Sequence, residues 1–304
     1  MFNDNNKFGI LLILLSFLFF SSSNAASRYI LYLNSIPISI YFVYVKLFAV
    51  IILLGFGLIV FGKTFFYIEN RKIVFIRCMI LMINNICLTF SLLYLPLDIF
   101  YSIVFIMPLM TSILGFIVLK EKFSWLNILA VIIGFMGILI VVQPNVEESL
   151  VYIGVLTTII TAITGSLSGI IARKYLQNEN PYSATFYVAV CSFSLGIIML
   201  IFEGKVSDFN LISNYITFKI SAIIFFSALF TIIASSLFMK AYQISKATTI
   251  APTQYTQLLW GIIFGYALFD DRTSFSTLIG CGIIIFATFF NFYVSRENKN
   301  EFTA

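Results

Sequence analysis

Residues 98–119 read DIFYSIVFIMPLMTSILGFIVL, and 150 positions later residues 248–269 read TTIAPTQYTQLLWGIIFGYALF. Each run is long enough, at about 1.5 Å per residue, to cross a hydrocarbon core about 30 Å thick as a helix. Each carries one proline, Pro108 or Pro252, and each ends in a short acidic connection, Lys120-Glu121 or Asp270-Asp271. At this offset Ile113, Gly115, Glu121, Ser124 and Ile133 fall on Ile263, Gly265, Asp271, Ser274 and Ile283. At an offset of 145, Gly9, Ser23 and Arg28 fall on Gly154, Ser168 and Arg173. The chain therefore reads as two related halves, each built from membrane-crossing helices.

Composition supports the same reading. Of 304 residues, 61% are hydrophobic and 10% charged, with a mean hydropathy of +1.03. Soluble domains carry about 25% charged residues, so the bilayer must solvate most of this chain. Ten apolar runs are predicted as spans: 8–26, 38–61, 74–94, 98–119, 125–143, 151–172, 184–202, 218–239, 248–269 and 275–294. The fold class expected is an all-α integral membrane bundle. Its ten helices form two five-helix repeats, 8–143 and 151–294. Five is odd, so consecutive repeats have opposite orientations, the inverted architecture of secondary transporters. The first run, with Lys7 before it and Ser21-Ser22-Ser23-Asn24-Ala25-Ala26 after, also reads as a secretory signal peptide. The repeat requires it as a helix.

With a cytoplasmic N-terminus, Lys7, Lys63, Arg71, Lys72, Lys120, Lys122, Arg173, Lys174, Lys240, Lys246, Arg296 and Lys299 fall inside. Only Arg28, Lys205 and Arg272 fall outside. The positive-inside rule then predicts both termini in the cytoplasm. The net charge of +5 reflects this loop bias, and no nucleic-acid partner is expected.

The chain has no histidine, and its cysteines, Cys78, Cys87, Cys191 and Cys281, lie apart within apolar runs. No metal site, disulfide framework, cofactor or catalytic residue is expected. The thirteen acidic residues fall in tails, loops or span ends. Asp98, Glu121 and Asp270, at helix ends, are expected to be solvated. Coupling to an ion through a buried carboxylate is therefore disfavoured, and exchange or facilitated diffusion is expected.

Lys46 is the cation farthest from a span end. A lysine at a helix centre costs about 2.5–3.5 kcal/mol on insertion scales, so its charge needs a partner or water. Either it binds an acidic group of a substrate, or it snorkels to the outer headgroups on its four-carbon stem. Arg77 and Lys219 read as interfacial anchors. Uncharged polar residues gather in some spans, and amide side chains facing lipid would be costly. The candidate substrate-binding set is Asn24, Lys46, Asn84, Asn85, Tyr101, Ser235, Gln254, Tyr255 and Gln257. Gly134 and Gly137, like Gly280 and Gly282, read as a close contact between spans five and ten.

The Pro108 helix running into Leu119-Lys120-Glu121, the Gly134 and Gly137 helix, and Ala251-Pro252 through Trp260 to Asp270-Asp271 resemble the drug/metabolite transporter superfamily. They are most similar to its ten-helix EamA-type members. Lys46 departs from the arginine often found in the second helix of that family, and Asp271 from the usual glutamate. Ser21-Ser22-Ser23-Asn24 and Ala251-Pro252 with Tyr255 resemble the S-adenosylmethionine uptake carriers of intracellular bacteria.

That resemblance implies a secondary transporter in a bacterial inner membrane. Its substrate would be a small polar metabolite, amino-acid or nucleoside-type, with S-adenosylmethionine one candidate. Alternating access is expected, with lipid around the bundle and room for a homodimer. The alternatives are a membrane-embedded enzyme or a lipid scramblase acting on lipid-linked substrates. An enzyme of that kind usually displays histidine, paired carboxylates or a sizeable catalytic loop.

Overall fold

A computed structural model describes residues 4–34, 36–119, 125–142, 149–203, 217–245, 256–271 and 274–300. Helices account for every regular element among them. In chain order they are α1 (Asp4–Arg28), α2 (Ile38–Phe61), α3 (Arg71–Tyr94), α4 (Leu97–Val104), α5 (Met107–Leu119) and α6 (Trp125–Val142). They continue as α7 (Ser149–Tyr175), α8 (Pro181–Phe202), α9 (Phe218–Ile244), α10 (Thr256–Phe269) and α11 (Phe275–Asn300).

Helix is the required form here, because a backbone without water must satisfy its N–H and C=O groups within the segment. Among the described residues, seven helices are long and apolar enough to cross a membrane: those starting at Phe8, Ile38, Arg71, Leu97, Leu150, Pro181 and Phe218. Apolar stretches of α10 and α11, Leu259–Phe269 and Phe275–Ala287, are shorter. Large apolar side chains such as Ile59, Phe202 and Phe218 are exposed on the outside, as a lipid solvent allows.

Several helix boundaries differ from expectation, three of them for a definite local reason. The first helix does not stop near residue 26. It runs to Arg28 and continues as a π turn, Tyr29–Leu33, because Ser21, Ser23, Asn24 and Ser27 are buried against other helices instead of ending it. The helix expected over 98–119 is two helices, α4 and α5, separated by Phe105 and Ile106. Pro108 has no N–H to give the carbonyl of Val104, and Val104 is the residue at which α4 stops. Finally, α8 starts one turn earlier than expected. Asn180 caps it, its Oδ1 accepting the Tyr182 N–H at 2.9 Å, with Pro181 at the first position.

The packing joins helices of the two halves more than neighbours in sequence. α1 packs along α9, α3 along α7, α2 along α8, and α6 along α11. Around these, α5 packs on α7, α10 on α1, and α4 on α10. Gly134 on α6 makes room for α5: a Cβ there would overlap Leu109, whereas it would reach the Ala287 Cβ of α11 only at 3.6 Å, an ordinary contact. Gly282 departs from the expected pattern, since a Cβ there would meet nothing within 4 Å.

Candidate functional site

Where α1, α3, α7 and α9 converge, the interior is not filled. One chamber of about 120 Å³ is walled by Phe17, Phe20, Phe100, Tyr101 and Phe238 and carries Asn24, Arg77, Asn84, Ser168, Ser235 and Gln257. A second, of about 110 Å³, is lined by Ser23, Ser27, Tyr41, Lys46, Asn85, Thr89 and Thr231. Phe20, Asn24, Leu81, Asn84, Leu88 and Ser235 line both, so the two form one cavity divided into an aromatic and a hydroxyl-rich part.

Of the nine candidate residues, Asn24, Lys46, Asn84, Asn85, Tyr101, Ser235 and Gln257 line this cavity. Gln254 and Tyr255 lie outside the described residues. The adjacent asparagines on α3 separate by function. Asn84 Nδ2 donates to the Thr161 carbonyl at 2.8 Å and to Thr164 Oγ1 at 2.9 Å on α7. Asn85 Nδ2 donates to Ser192 Oγ at 3.1 Å on α8. Each amide thus fixes a helix contact and faces the cavity as well. Asn24 Nδ2 donates to the Tyr101 hydroxyl at 3.1 Å, tying α1 to α4 across the aromatic chamber. The Tyr101 ring fits because α10 offers Gly261 beneath it, where any Cβ would overlap the ring.

Lys46 is only 9% exposed. Its Nζ lies 5.5 Å from the centroid of the Phe42 ring, a weak cation–π contact. Among the described residues no carboxylate lines either chamber.

Arg77 corrects the sequence reading. It was expected at the headgroups, yet it is buried, lines the aromatic chamber, and its Nε has no hydrogen-bond partner. The available signal was its spacing: Arg77, Leu81, Asn84 and Leu88 recur at helical intervals on one face of α3. Lys219 is exposed, as an anchor should be.

Arg28, expected in an outer loop, is also buried. It pairs with Asp271, and its guanidinium carbon sits 4.5 Å from the Phe269 ring centroid and 5.3 Å from that of Tyr32. The turn after α10 makes this possible. Asp270 takes a left-handed φ of 53°, and the Asp271 N–H reaches back to the Gly265 carbonyl at 3.1 Å. Aspartate tolerates that conformation better than most residues.

The expectation of solvated carboxylates holds at Asp270, which is exposed, and fails at Asp98, which is buried within reach of the charges of Arg28 and Asp271. Asp98 Oδ1 accepts the Ile99 N–H at 2.9 Å. Glu179 is buried too, its Oε1 accepting the Asn70 N–H at 2.7 Å. Neither acid lines the cavity. Glu121 lies outside the described residues.

Comparison with known proteins places these features. The chain is 26% identical over 298 residues to a Rickettsia prowazekii protein described as an S-adenosylmethionine uptake transporter, covering 96% of this chain and 95% of that one. It is 27% identical over 303 residues to a Rickettsia bellii protein of the same description, covering 96% of each. An uncharacterised transporter of Helicobacter pylori is 26% identical over 184 residues, 59% of each chain. A solved crystal structure shares the fold at a TM-score of 0.66 and 11% identity, over 95% of this chain and 98% of that one.

The model of the EamA-like transporter family matches twice, over residues 7–143 and 152–293. The protein is thus an integral, multi-pass membrane transporter and not an enzyme. With nearly the whole length matched, the chain belongs to the EamA-like transporter family.

Proposed function

We propose that this protein is a secondary carrier of a small polar metabolite, with S-adenosylmethionine the first candidate, working by alternating access between two inverted five-helix repeats. The observation that carries this reading is the cavity between the halves. Asn24, Lys46 and Asn84 come from the first half, and Ser235 and Gln257 from the second. Inverted-repeat carriers hold substrate at that interface.

The helix contacts support the inversion. Take α1, α2, α3, the α4–α5 pair and α6 as one repeat, and α7 to α11 as the other. Exchanging the repeats turns the α1–α9 contact into α7–α3, and α1–α10 into α7 with the α4–α5 pair. The α2–α8, α6–α11 and α4–α10 contacts map onto themselves. A pseudo-two-fold axis has this property. The double match of the family model, near the expected repeats 8–143 and 151–294, supports the same division. In this reading the spans number ten, both termini are cytoplasmic, and the membrane is a bacterial inner membrane.

Two relatives described as S-adenosylmethionine uptake transporters support the candidate substrate. Ligand pockets are typically about 300–1,000 Å³, larger than either chamber. Such a metabolite would therefore span both chambers, displacing the shared wall of Phe20, Leu81 and Leu88. Lys46, in the hydroxyl-rich chamber, would meet an acidic group, with Gln254 and Tyr255 completing the set. Because the cavity presents no carboxylate among its described residues, exchange or facilitated movement is favoured over ion coupling.

Thermal-shift screening of the purified protein against amino acids, nucleotides and S-adenosylmethionine tests the substrate class. A saturable rise in melting temperature is expected with S-adenosylmethionine, and a rise only with an unrelated class would replace it. The topology has its own test. Single cysteines introduced as Asn145→Cys and Asn298→Cys, in a background lacking the four native ones, are exposed to an impermeant maleimide in intact cells. Asn145→Cys should label and Asn298→Cys should not; labelling of Asn298→Cys would overturn the proposed orientation.

A further inference from the structure

Among the described residues three arginines lie at buried or partly buried positions, and two have their charge met by protein. Arg28 meets Asp271 and the Phe269 ring. Arg173 donates to the Ser245 carbonyl at the end of α9. Arg77 is built differently. It is 3% exposed and lines the aromatic chamber, and no acid lines that chamber among the described residues. Its Nε is a buried donor without a partner, as is that of Arg28, but Arg28 has the Asp271 carboxylate as counter-charge. On the facing helix α7, Ser168 lines the same chamber, and its hydroxyl is likewise buried and unpartnered.

A buried guanidinium without a counter-charge is costly, and an arginine that only anchored the helix would reach the headgroups. The sixth helical step of α3 places Arg77 about 9 Å along the helix from Arg71, within reach of the interface for a long side chain. It is turned instead into the cavity, on the same face as Leu81, Asn84 and Leu88.

We propose that Arg77 is a specificity-determining residue that binds the carboxylate of an amino-acid-type substrate in its guanidinium fork, with the Ser168 hydroxyl as a further donor. The inference rests on the carrier reading above and names the chemical group that the aromatic chamber takes. The planar fork matches a carboxylate in two parallel hydrogen bonds, which a lysine cannot reproduce. The walls fix the rest of the ligand. Phe17, Phe20, Phe100 and Phe238 offer ring faces and edges to a flat heterocycle or an onium group beside the carboxylate. Lys46 lines only the other chamber, so a ligand with a single carboxylate gives it to Arg77 in place of Lys46 and leaves Lys46 its uncharged oxygen and nitrogen acceptors.

The test pairs a change in the protein with a change in the ligand. Binding of S-adenosylmethionine and of its decarboxylated analogue is measured by calorimetry on full-length wild type, Arg77→Gln and Arg77→Lys in nanodiscs. Wild type should prefer the carboxylate-bearing ligand by about tenfold or more, the value of one charge-assisted hydrogen bond. Arg77→Gln should bring that ratio close to one by weakening the carboxylate-bearing ligand, while the decarboxylated analogue, whose ammonium and sulfonium no longer face a guanidinium, binds at least as well as to wild type. Arg77→Lys should give an intermediate ratio, and it carries the test alone where Arg77→Gln does not fold. Equal weakening of both ligands, or an unchanged ratio, would overturn the role of Arg77 and leave the carrier reading standing. Failure of wild type to bind either ligand would overturn the substrate class, and this assignment with it.

Discussion

Replacing Lys46 with methionine is expected to weaken substrate affinity in uptake by about ten- to a hundredfold while leaving the protein folded. The Lys46 side chain is buried and lines the same chamber as the hydroxyls of Ser23, Ser27 and Thr231, and the Phe42 ring centroid lies 5.5 Å from its ammonium. Loss of a hydrogen bond to a charged group is worth about 1.5–3 kcal/mol, so affinity should fall by about ten- to a hundredfold. Stability should move the other way or not at all. Methionine fills similar volume, and replacing a buried charge with an apolar residue is often neutral or stabilising. Lys46→Arg should keep part of the activity, since charge remains while hydration and geometry change. Substrate-dependent thermal shift and uptake in proteoliposomes together check this. Normal uptake by well-expressed Lys46→Met would mean that Lys46 only snorkels.

The second large effect is expected at the ion pair between α1 and the α10–α11 turn. Asp271→Asn removes the counter-charge of Arg28, whose side chain is 5% exposed, against 19% for Asp271. Breaking a buried pair from one side costs about 3–5 kcal/mol, because the remaining charge stays desolvated. The partial exposure of Asp271 places this case near about 3 kcal/mol. The double replacement Arg28→Met with Asp271→Asn should recover part of that loss, since the unpaired guanidinium is gone and Asp98 is the buried charge that remains nearby. Melting temperatures of the single and double variants measure the difference. Equal destabilisation of both would show that packing of the Arg28 stem on Phe269 and Tyr32, and not its charge, holds the contact.

The seven helices long and apolar enough to cross were legible because their apolar runs come close to or exceed the thickness to be crossed, whereas the apolar stretches of α10 and α11 are shorter among the described residues. The break between α4 and α5 was legible in principle, since Pro108 removes the hydrogen bond to Val104. The end of α1 was not. Ser21, Ser22, Ser23 and Asn24 look like a polar boundary, and only packing against other helices accommodates them: Ser23 Oγ lies 2.7 Å from Thr231 Oγ1 of α9, and Asn24 donates to the Tyr101 hydroxyl of α4. The candidate site was readable where residue type alone forced it inward, as for Lys46 and the α3 amides.

Arg77 was misread for a physical reason. Distance from a span end places a long cation at the headgroups, whereas its helical phase relative to Leu81 and Asn84 places it in the cavity. The Arg28–Asp271 pair joins positions 243 apart, and no local pattern announces it. The repeat offsets mark both residues as corresponding to Arg173 and Glu121, without saying what either touches.

The central claim is that this cavity belongs to a carrier which exposes its substrate to one side at a time. Counterflow in proteoliposomes tests it most directly. Vesicles loaded with unlabelled S-adenosylmethionine and diluted into labelled substrate, with no pH or sodium gradient, should transiently accumulate label above the external concentration, and faster than empty vesicles. Entry of label at the same rate into loaded and empty vesicles, with no overshoot, would contradict the account and identify a pore.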